Sequence, residues 1–444
     1  MNALKPKKLF SKFNIFIIPI IVALSFISFY LQEQIDANYR NEIGKSLNTV
    51  LDATSQALLT WSNKERAATL TWAHTTQLQS ITTELAEQYK QQQGVDLVHG
   101  SAQKTLRQWL LPVIQGKGYR GYFIIGPGNI NLASSRDSNI GDINLLADKA
   151  DFLRRLWSGE TVLSAPIKSD VVLKNKLGTP LKEQNSMFVG APIRNDEGDI
   201  ISLLTFRIDP AQDYYPILER GRIGDTGESY SLSQAGILLS RSRFNEQLAK
   251  INLLKNNQLA TSHLRITDPG VNLLTNLKEG TPYKQRPRTK MAEGIFNLGK
   301  GHDWYGYRDY RGVKVIGSWH WVNELGYGIT SEIDTEEAFS VLTFTKTVIT
   351  LFTIIVSLLL IGLTIIFNKG QRDLVKSETQ IRALIDNLPS FVYAKSISGS
   401  LTLANKAILS LKRHHNLPSD ASPTIAFENH IAAFMSEKDS EVVD

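Results

Sequence analysis

Charge disappears from the chain twice. Phe13 to Leu31 is a run of nineteen residues and Thr347 to Phe367 one of twenty-one with no charged side chain, and a helix of about 20 such residues crosses the hydrocarbon of a bilayer. The pattern predicts two transmembrane helices, at 13–32 and 345–367. They divide the chain into a short N-terminal tip, a large middle and a C-terminal tail. The middle opens with a helical period. From Glu33 to about Gln93 there is no proline and a single glycine, Gly44, while Ile43, Leu47, Val50, Leu51, Thr54, Leu58 and Trp61 recur at helical spacing. Gly94 ends this long helix or helix pair, and a shorter helix follows at about Gln103 to Gln115, so that 33–117 reads as a helical stalk.

From Gly118 the period shortens. Tyr122 to Ile125 predicts a strand, Gly126 to Asn129 a turn, and Ile130 to Ser134 a second strand. Residues 145–157 read as a helix over the sheet, Thr161 to Ser164 as a strand, and Met187 to Ile193 with Ile200 to Ile208 as a hairpin. The pattern then recurs. The segment 122–136 aligns with 230–243 as a hairpin ending in Ser-Arg, and each copy closes on a strand ending in Ile-Asp, at Ile208-Asp209 and Ile333-Asp334. Ala211 to Glu219 connects the copies as a short helix, broken by Gly221 and Gly224. The middle is therefore expected to be two related α+β modules, 118–210 and 211–340, on the stalk.

Charge orients the spans. Lys5, Lys7, Lys8 and Lys12 precede the first and Lys369, Arg372 and Lys376 follow the second, whereas Glu33, Asp36, Asp334, Glu336 and Glu337 lie at the opposite ends. Basic flanks stay in the cytoplasm, which places 1–12 and the tail inside and the middle outside, in a multi-pass protein of the cytoplasmic (inner) membrane with a periplasmic middle. A signal peptide is the alternative for the first run. Nineteen apolar residues exceed the ~7 to 15 of a signal core, and no small-residue cleavage site follows Leu31. The net charge of +6 owes most to the four N-terminal lysines, and no basic stripe with interleaved aromatics points to nucleic acid. The most basic loop, Lys278 to Lys290, holds two prolines and reads as a solvated connection. With no cysteine in the chain, disulfides, thiolate metal sites and cysteine catalysis are excluded.

Reactive constellations are sparse. None of the eight histidines forms a metal-ligand spacing, and no phosphate-binding loop, nucleophile elbow or dinucleotide fingerprint occurs. Gly299 to Trp304, with His302, reads as a polar turn, and the aspartic-protease-like triplet Gly224-Asp225-Thr226 as a turn before a strand. No catalytic residue, cofactor or metal is expected.

Gly221 to Tyr230, Tyr307 to Gly312, Trp321 and Ile333 to Phe339 carry a resemblance to the membrane-proximal half of a double Cache sensor. That family pairs two PAS-like modules behind a long N-terminal helix, between two membrane spans. The resemblance covers roughly 33–340 and implies a ligand pocket in the distal module, between its sheet and the covering helix and loops. The residues placed there are Tyr122, Ser134, Arg136, Arg155, Trp157, Asp170, Phe188 and Arg207. An arginine can hold a carboxylate through two hydrogen bonds and an aspartate an ammonium, so the expected partner is a small molecule, an amino acid or small organic acid.

Beyond the second span, Leu374, Ser377, Ile381, Leu384 and Leu388 follow a short heptad where a helix would leave the membrane; the resemblance to such receptors implies that 368–388 is a signalling helix and the protein a homodimer. Leu384 to Lys395, Gly399 and Asn405 to Ala407 resemble the opening of a cytoplasmic PAS domain, and 389–444 is too short for a whole one. The chain is expected to be a fragment of a longer sensor, of the kind that ends in a histidine kinase (two-component), diguanylate cyclase or methyl-accepting region. The rivals are an extracytoplasmic hydrolase using Asp225 or His302, and a scaffold or adhesin without a ligand-sized pocket.

Overall fold

A computed structural model describes residues 6–91, 97–169, 172–173, 179–180, 184–255, 258–276, 280–395 and 401–414. The chain divides into two compact units, Gln34–Thr345 and a second made of Met1–Glu33 with Lys346–Asp444.

In the larger unit, helix α1 (Pro6–Ala73) contributes its outer part, α2 (Thr76–Gln91) follows, and α3 (Ser101–Lys117) closes the helical layer. The stripe read from the sequence faces inward: Leu47, Leu51 and Leu58 are fully buried, and Thr54 and Trp61 nearly so. Gly118 stops α3 in the left-handed region at φ 69°, where its N–H donates to the Gln115 carbonyl, a conformation that glycine adopts without a Cβ penalty.

The first sheet is antiparallel. Its strands are β1 (Gly121–Ile125), β2 (Asn131–Ser134), β3 (Val162–Leu163), β4 (Ile167–Lys168), β5 (Asn185–Arg194) and β6 (Ile200–Ile208), in the order β2-β1-β6-β5-β3 with β4 paired to β5. Both faces are apolar. Tyr122, Ile124, Met187, Val189, Leu204 and Phe206 share a core with α1, α2 and α3, while Phe123, Ile125, Phe188 and Leu203 lie under α4 (Ala150–Trp157) with Phe152, Leu153 and Leu156. The helix expected over 145–157 is two pieces: a 3-10 turn at Leu145–Asp148, capped by the Asn144 side chain, and α4, with Lys149 between them outside helical φ/ψ.

Helix α5 (Tyr214–Arg220) starts three residues later than expected. Asp209 explains the delay: its carboxylate and carbonyl accept from the N–H groups of Ala211 and Gln212 and hold 209–212 as a turn. The second sheet comprises β7 (Glu228–Leu232), β8 (Lys300–Arg308), β9 (Lys314–Val322) and β10 (Tyr327–Asp334), again antiparallel, in the order β7-β10-β9-β8. In both sheets the closing strand, β6 or β10, lies between its hairpin partner and the module's first strand. The hairpin expected over 230–243 is only half formed. After β7 the chain makes one bridge, Leu232 to Leu238, with the Leu239 N–H donating to the Ser231 carbonyl at 2.8 Å, and the ladder stops where the Ser231 N–H goes to Ser240 Oγ at 3.1 Å instead of a backbone carbonyl. Helices α6 (Asn245–Lys250) and α7 (Lys290–Phe296) cover this sheet's core of Tyr230, Leu232, Leu248, Met291, Ile295 and Trp319. A short helix α8 (Thr335–Ala338) precedes α9 (Ser340–Asp386).

In the smaller unit α1 and α9 each hold a segment long and apolar enough to cross a membrane. They touch through side-chain hydroxyls, with Thr353 Oγ1 donating to Ser28 Oγ at 2.9 Å and the Gln32 amide reaching Thr350 at 3.3 Å. Helix α9 runs without a break through the expected signalling segment to Asp386, and a hairpin of β11 (Tyr393–Lys395) and β12 (Leu401–Ala404) precedes α10 (Lys406–His414). The remainder of the PAS-like segment lies outside the described residues.

Candidate functional site

Register decides which side chains share the face beneath α4. In an antiparallel pair, directly opposed residues point the same way. Phe123 faces Ser134 across β1 and β2 and Thr205 across β1 and β6; Arg207 faces Gly121 and, across β6 and β5, Phe188. Ser186, two positions before Phe188, joins this face by the strand period.

The result is a polar spot on an aromatic floor. The Arg207 guanidinium carbon lies 5.2 Å from the Phe188 ring centre and 5.8 Å from that of Phe123, and the two rings are 6.3 Å apart. Such stacking favours arginine, whose flat, delocalised cation lies well on an aromatic face. Arg207 is only 4% exposed, so a charge interaction there is screened far less than at the surface. Ser186 Oγ is buried without a hydrogen-bond partner among the described residues, a group whose desolvation costs about 1–3 kcal/mol until something bonds to it. The segment above is pinned to the sheet: Ser164 N–H donates to the Phe188 carbonyl at 2.7 Å, and Phe188 N–H to Ser164 Oγ at 2.8 Å. Further on, the Gln184 amide holds both backbone groups of Leu173.

Three of the eight residues singled out in the sequence therefore share this face, Ser134, Phe188 and Arg207, and of these Phe188 and Arg207 touch. Trp157 stands at the rim, half-buried, its indole N–H donating to Asn129 at 3.2 Å. Arg155 turns to Glu160 at 2.8 Å at the surface. Arg136 is exposed beyond the end of β2. Tyr122 belongs to the opposite face, where burial pushes its hydroxyl up to about 12 against the opposing pull of Arg107. Asp170 lies outside the described residues. Ser186, Thr205 and Gly121 were not singled out. The alternation along β5 and β6 carries them, but only once the strand register is known.

The rival catalytic positions have other occupations. The backbone N–H groups of Asp225 and Thr226 both donate to the Glu337 carboxylate at 2.7 Å, so the Gly224-Asp225-Thr226 turn is a cradle for an acid at the start of the last helices. His302 lies stacked on Trp304, ring centres 4.5 Å apart. Among the described residues no three His, Asp or Glu side chains cluster as a metal site. A separate groove of about 890 Å³ runs between α2 and the 195–201 turn, past Glu84, Glu87, Leu132 and Asn195. Ile200 at its edge also packs against the core under α4, but none of Phe123, Ser134, Ser186, Phe188, Thr205 and Arg207 lines it.

The sequence matches no protein-family model, and no curated protein matches it. Solved structures do. One is the sensor domain of the Vibrio cholerae histidine kinase DctB, at 13% identity over 67% of this chain and 97% of that one, with a TM-score of 0.37. Another is the ligand-binding domain of the Campylobacter jejuni chemoreceptor Tlp3 in complex with L-valine, at 10% identity, 68% and 97% coverage and a TM-score of 0.37. A third is the ligand-binding domain of the Pseudomonas aeruginosa amino acid chemoreceptor PctB with L-Gln, at 10% identity, 66% and 92% coverage and a TM-score of 0.35. The chain is similar to sensor domains.

Proposed function

We propose that the chain is a membrane-spanning signalling receptor of double Cache type. In this reading 33–340 lies outside the cytoplasmic membrane, as two PAS-like modules on a helical stalk, and binds an amino acid or small organic acid in the distal module. The observation that carries the reading is the buried Arg207 guanidinium laid over Phe123 and Phe188, on the sheet face that Ser134 and Ser186 share. It combines a buried positive charge, an apolar floor and hydroxyls on one sheet face, the mixture expected of a small-molecule site. Two apolar segments, in α1 and α9, supply the membrane anchors.

Signal transfer then follows from linkage. A ligand shifts an equilibrium between two module arrangements only by its differential affinity for them. The route inward is β10, α8 and α9, in a homodimer, towards a cytoplasmic PAS region and an output domain. The test is a thermal-shift titration of the full chain in detergent against amino acids and organic acids, with Arg207→Gln beside it. A ligand that raises the melting temperature of the parent, and at least tenfold more of which is needed for the variant, supports the reading. No shift from any member of the library, or equal shifts for both proteins, refutes it.

A further inference from the structure

We infer that the second module carries an anion site for a phosphate group, built from the basic loop that the charge pattern alone reads as solvated connection. A pocket of about 260 Å³ opens between the 235–236 turn, residues 265–267 and residues 283–288, lined among others by Arg265, Thr267, Tyr283, Lys284, Arg286 and Arg288. Four cations face one small space. Like charges held so close repel unless an anion joins them.

The walls are fastened by backbone bonds. Ile237 bridges Arg265 and Thr267 bridges Arg288. Ile266 N–H donates to the Gly236 carbonyl at 2.8 Å, Asp268 N–H to the Pro287 carbonyl at 2.8 Å, and Arg265 N–H to the Tyr283 hydroxyl at 2.9 Å. The side chains are held as well. Arg286 is tied through Nε to the Thr281 carbonyl at 2.7 Å and lies over the Tyr283 ring at 5.4 Å. Arg288 rests on the Phe296 ring at 3.8 Å.

Three donors remain unused. Arg286 Nη1, Arg288 Nε and the Thr267 hydroxyl are buried and have no hydrogen-bond partner among the described residues, and Thr267 as a whole is 7% exposed. Neighbouring acids leave the pocket cationic. Glu293 pairs with Arg288 at 3.3 Å and Asp268 with Arg308 at 3.0 Å, while Arg265, Lys284 and Arg286 make no ion pair among the described residues. A carboxylate would neutralise one of these charges. A phosphate group, at about −1.5 to −2 near pH 7, neutralises more and accepts several N–H and O–H bonds at once. The space admits a phosphate ester or the free ion.

The experiment is calorimetric titration of the full chain in zwitterionic detergent with inorganic phosphate, at an ionic strength held constant with chloride. The expected result is saturable one-site binding, weakened at least tenfold by Arg286→Gln and several-fold by Thr267→Val, and unchanged by Lys250→Gln, a cation on α6 outside the pocket. Thr267→Val keeps the side-chain volume, so it remains informative should Arg286→Gln disturb the loop. Heat that does not saturate in the parent, or affinities in both pocket variants equal to the parent's, overturns the proposal. Repeating the titration in bilayer discs with and without phosphatidic acid separates the sources. Competition by the lipid that Arg286→Gln abolishes assigns the site to a headgroup, and an unmoved affinity assigns it to the dissolved anion.

Discussion

Glu332 gives the sharpest energetic prediction. It lies on β10, wholly inside the second module, with the Tyr230 hydroxyl on one carboxylate oxygen at 2.8 Å and the Tyr307 hydroxyl on the other. Burial pushes its acidity constant from 4.5 up to about 8; the Tyr307 and Tyr230 bonds oppose the rise, and nearby Asp309 and Glu228 add to it. Below pH 4.5 the carboxyl is protonated in both the folded and the unfolded chain and costs nothing. Between about 4.5 and 8 the unfolded chain releases the proton while the fold retains it, so stability falls as pH rises through that window. At ~1.4 kcal/mol for each pH unit the loss is about 5 kcal/mol. Glu332→Gln keeps the shape and an acceptor oxygen for one tyrosine and removes the ionisation.

All seven tryptophans lie between Trp61 and Trp321, so intrinsic fluorescence reports melting of the larger unit alone. With an unfolding entropy of ~2.1 cal/mol/K per residue over roughly 310 residues, 5 kcal/mol corresponds to about 8 °C. The variant should melt about 8 °C above the parent at pH 8.5 and within ~2 °C of it at pH 4.5. A gap that is the same at both pH values, or a variant no more stable than the parent at pH 8.5, would refute the assignment.

Two further predictions concern stability. Arg311, 2% exposed at its side chain, holds Asp309 at 2.6 Å and Asp334 at 2.5 Å; Arg311→Met strands two carboxylates and should cost about 3–5 kcal/mol, read as a lower melting temperature that Asp309→Asn partly restores. A Cβ on Gly44 would come within 2.6 Å of the Trp304 ring, so Gly44→Val should cost about 1–3 kcal/mol by overpacking, whereas an unshifted melting curve would mean that α1 and β8 do not pack as described.

The parts legible in the sequence were those set by nearest-neighbour pattern. Two uncharged runs announce the two helix segments long and apolar enough to cross a membrane, and the spacing from Leu47 to Trp61 gives a buried stripe because a helix repeats over a few residues whatever it packs against. Strand pairs were legible for the same reason, as at Met187 to Ile208. What stayed hidden depends on partners far apart in the chain. Tyr122 and Phe123 are both aromatic, yet one residue's difference puts them on opposite faces, and only the pairing with Ser134 and Thr205 tells which face holds Arg207. The Tyr310 bond to Glu228 at 2.5 Å spans 82 positions. The basic loop was read by its charge as solvated, because a string of residues does not show that its arginines are tied inward.

The account stands or falls on the division of the chain by the membrane. Reporter fusions decide it directly, one joined after Leu248 and one after Asp386, each made with an enzyme active only outside the cytoplasm and with one active only inside. The division predicts that the Leu248 fusion works only with the outside reporter and the Asp386 fusion only with the inside one. Activity of both fusions with the inside reporter alone would contradict it.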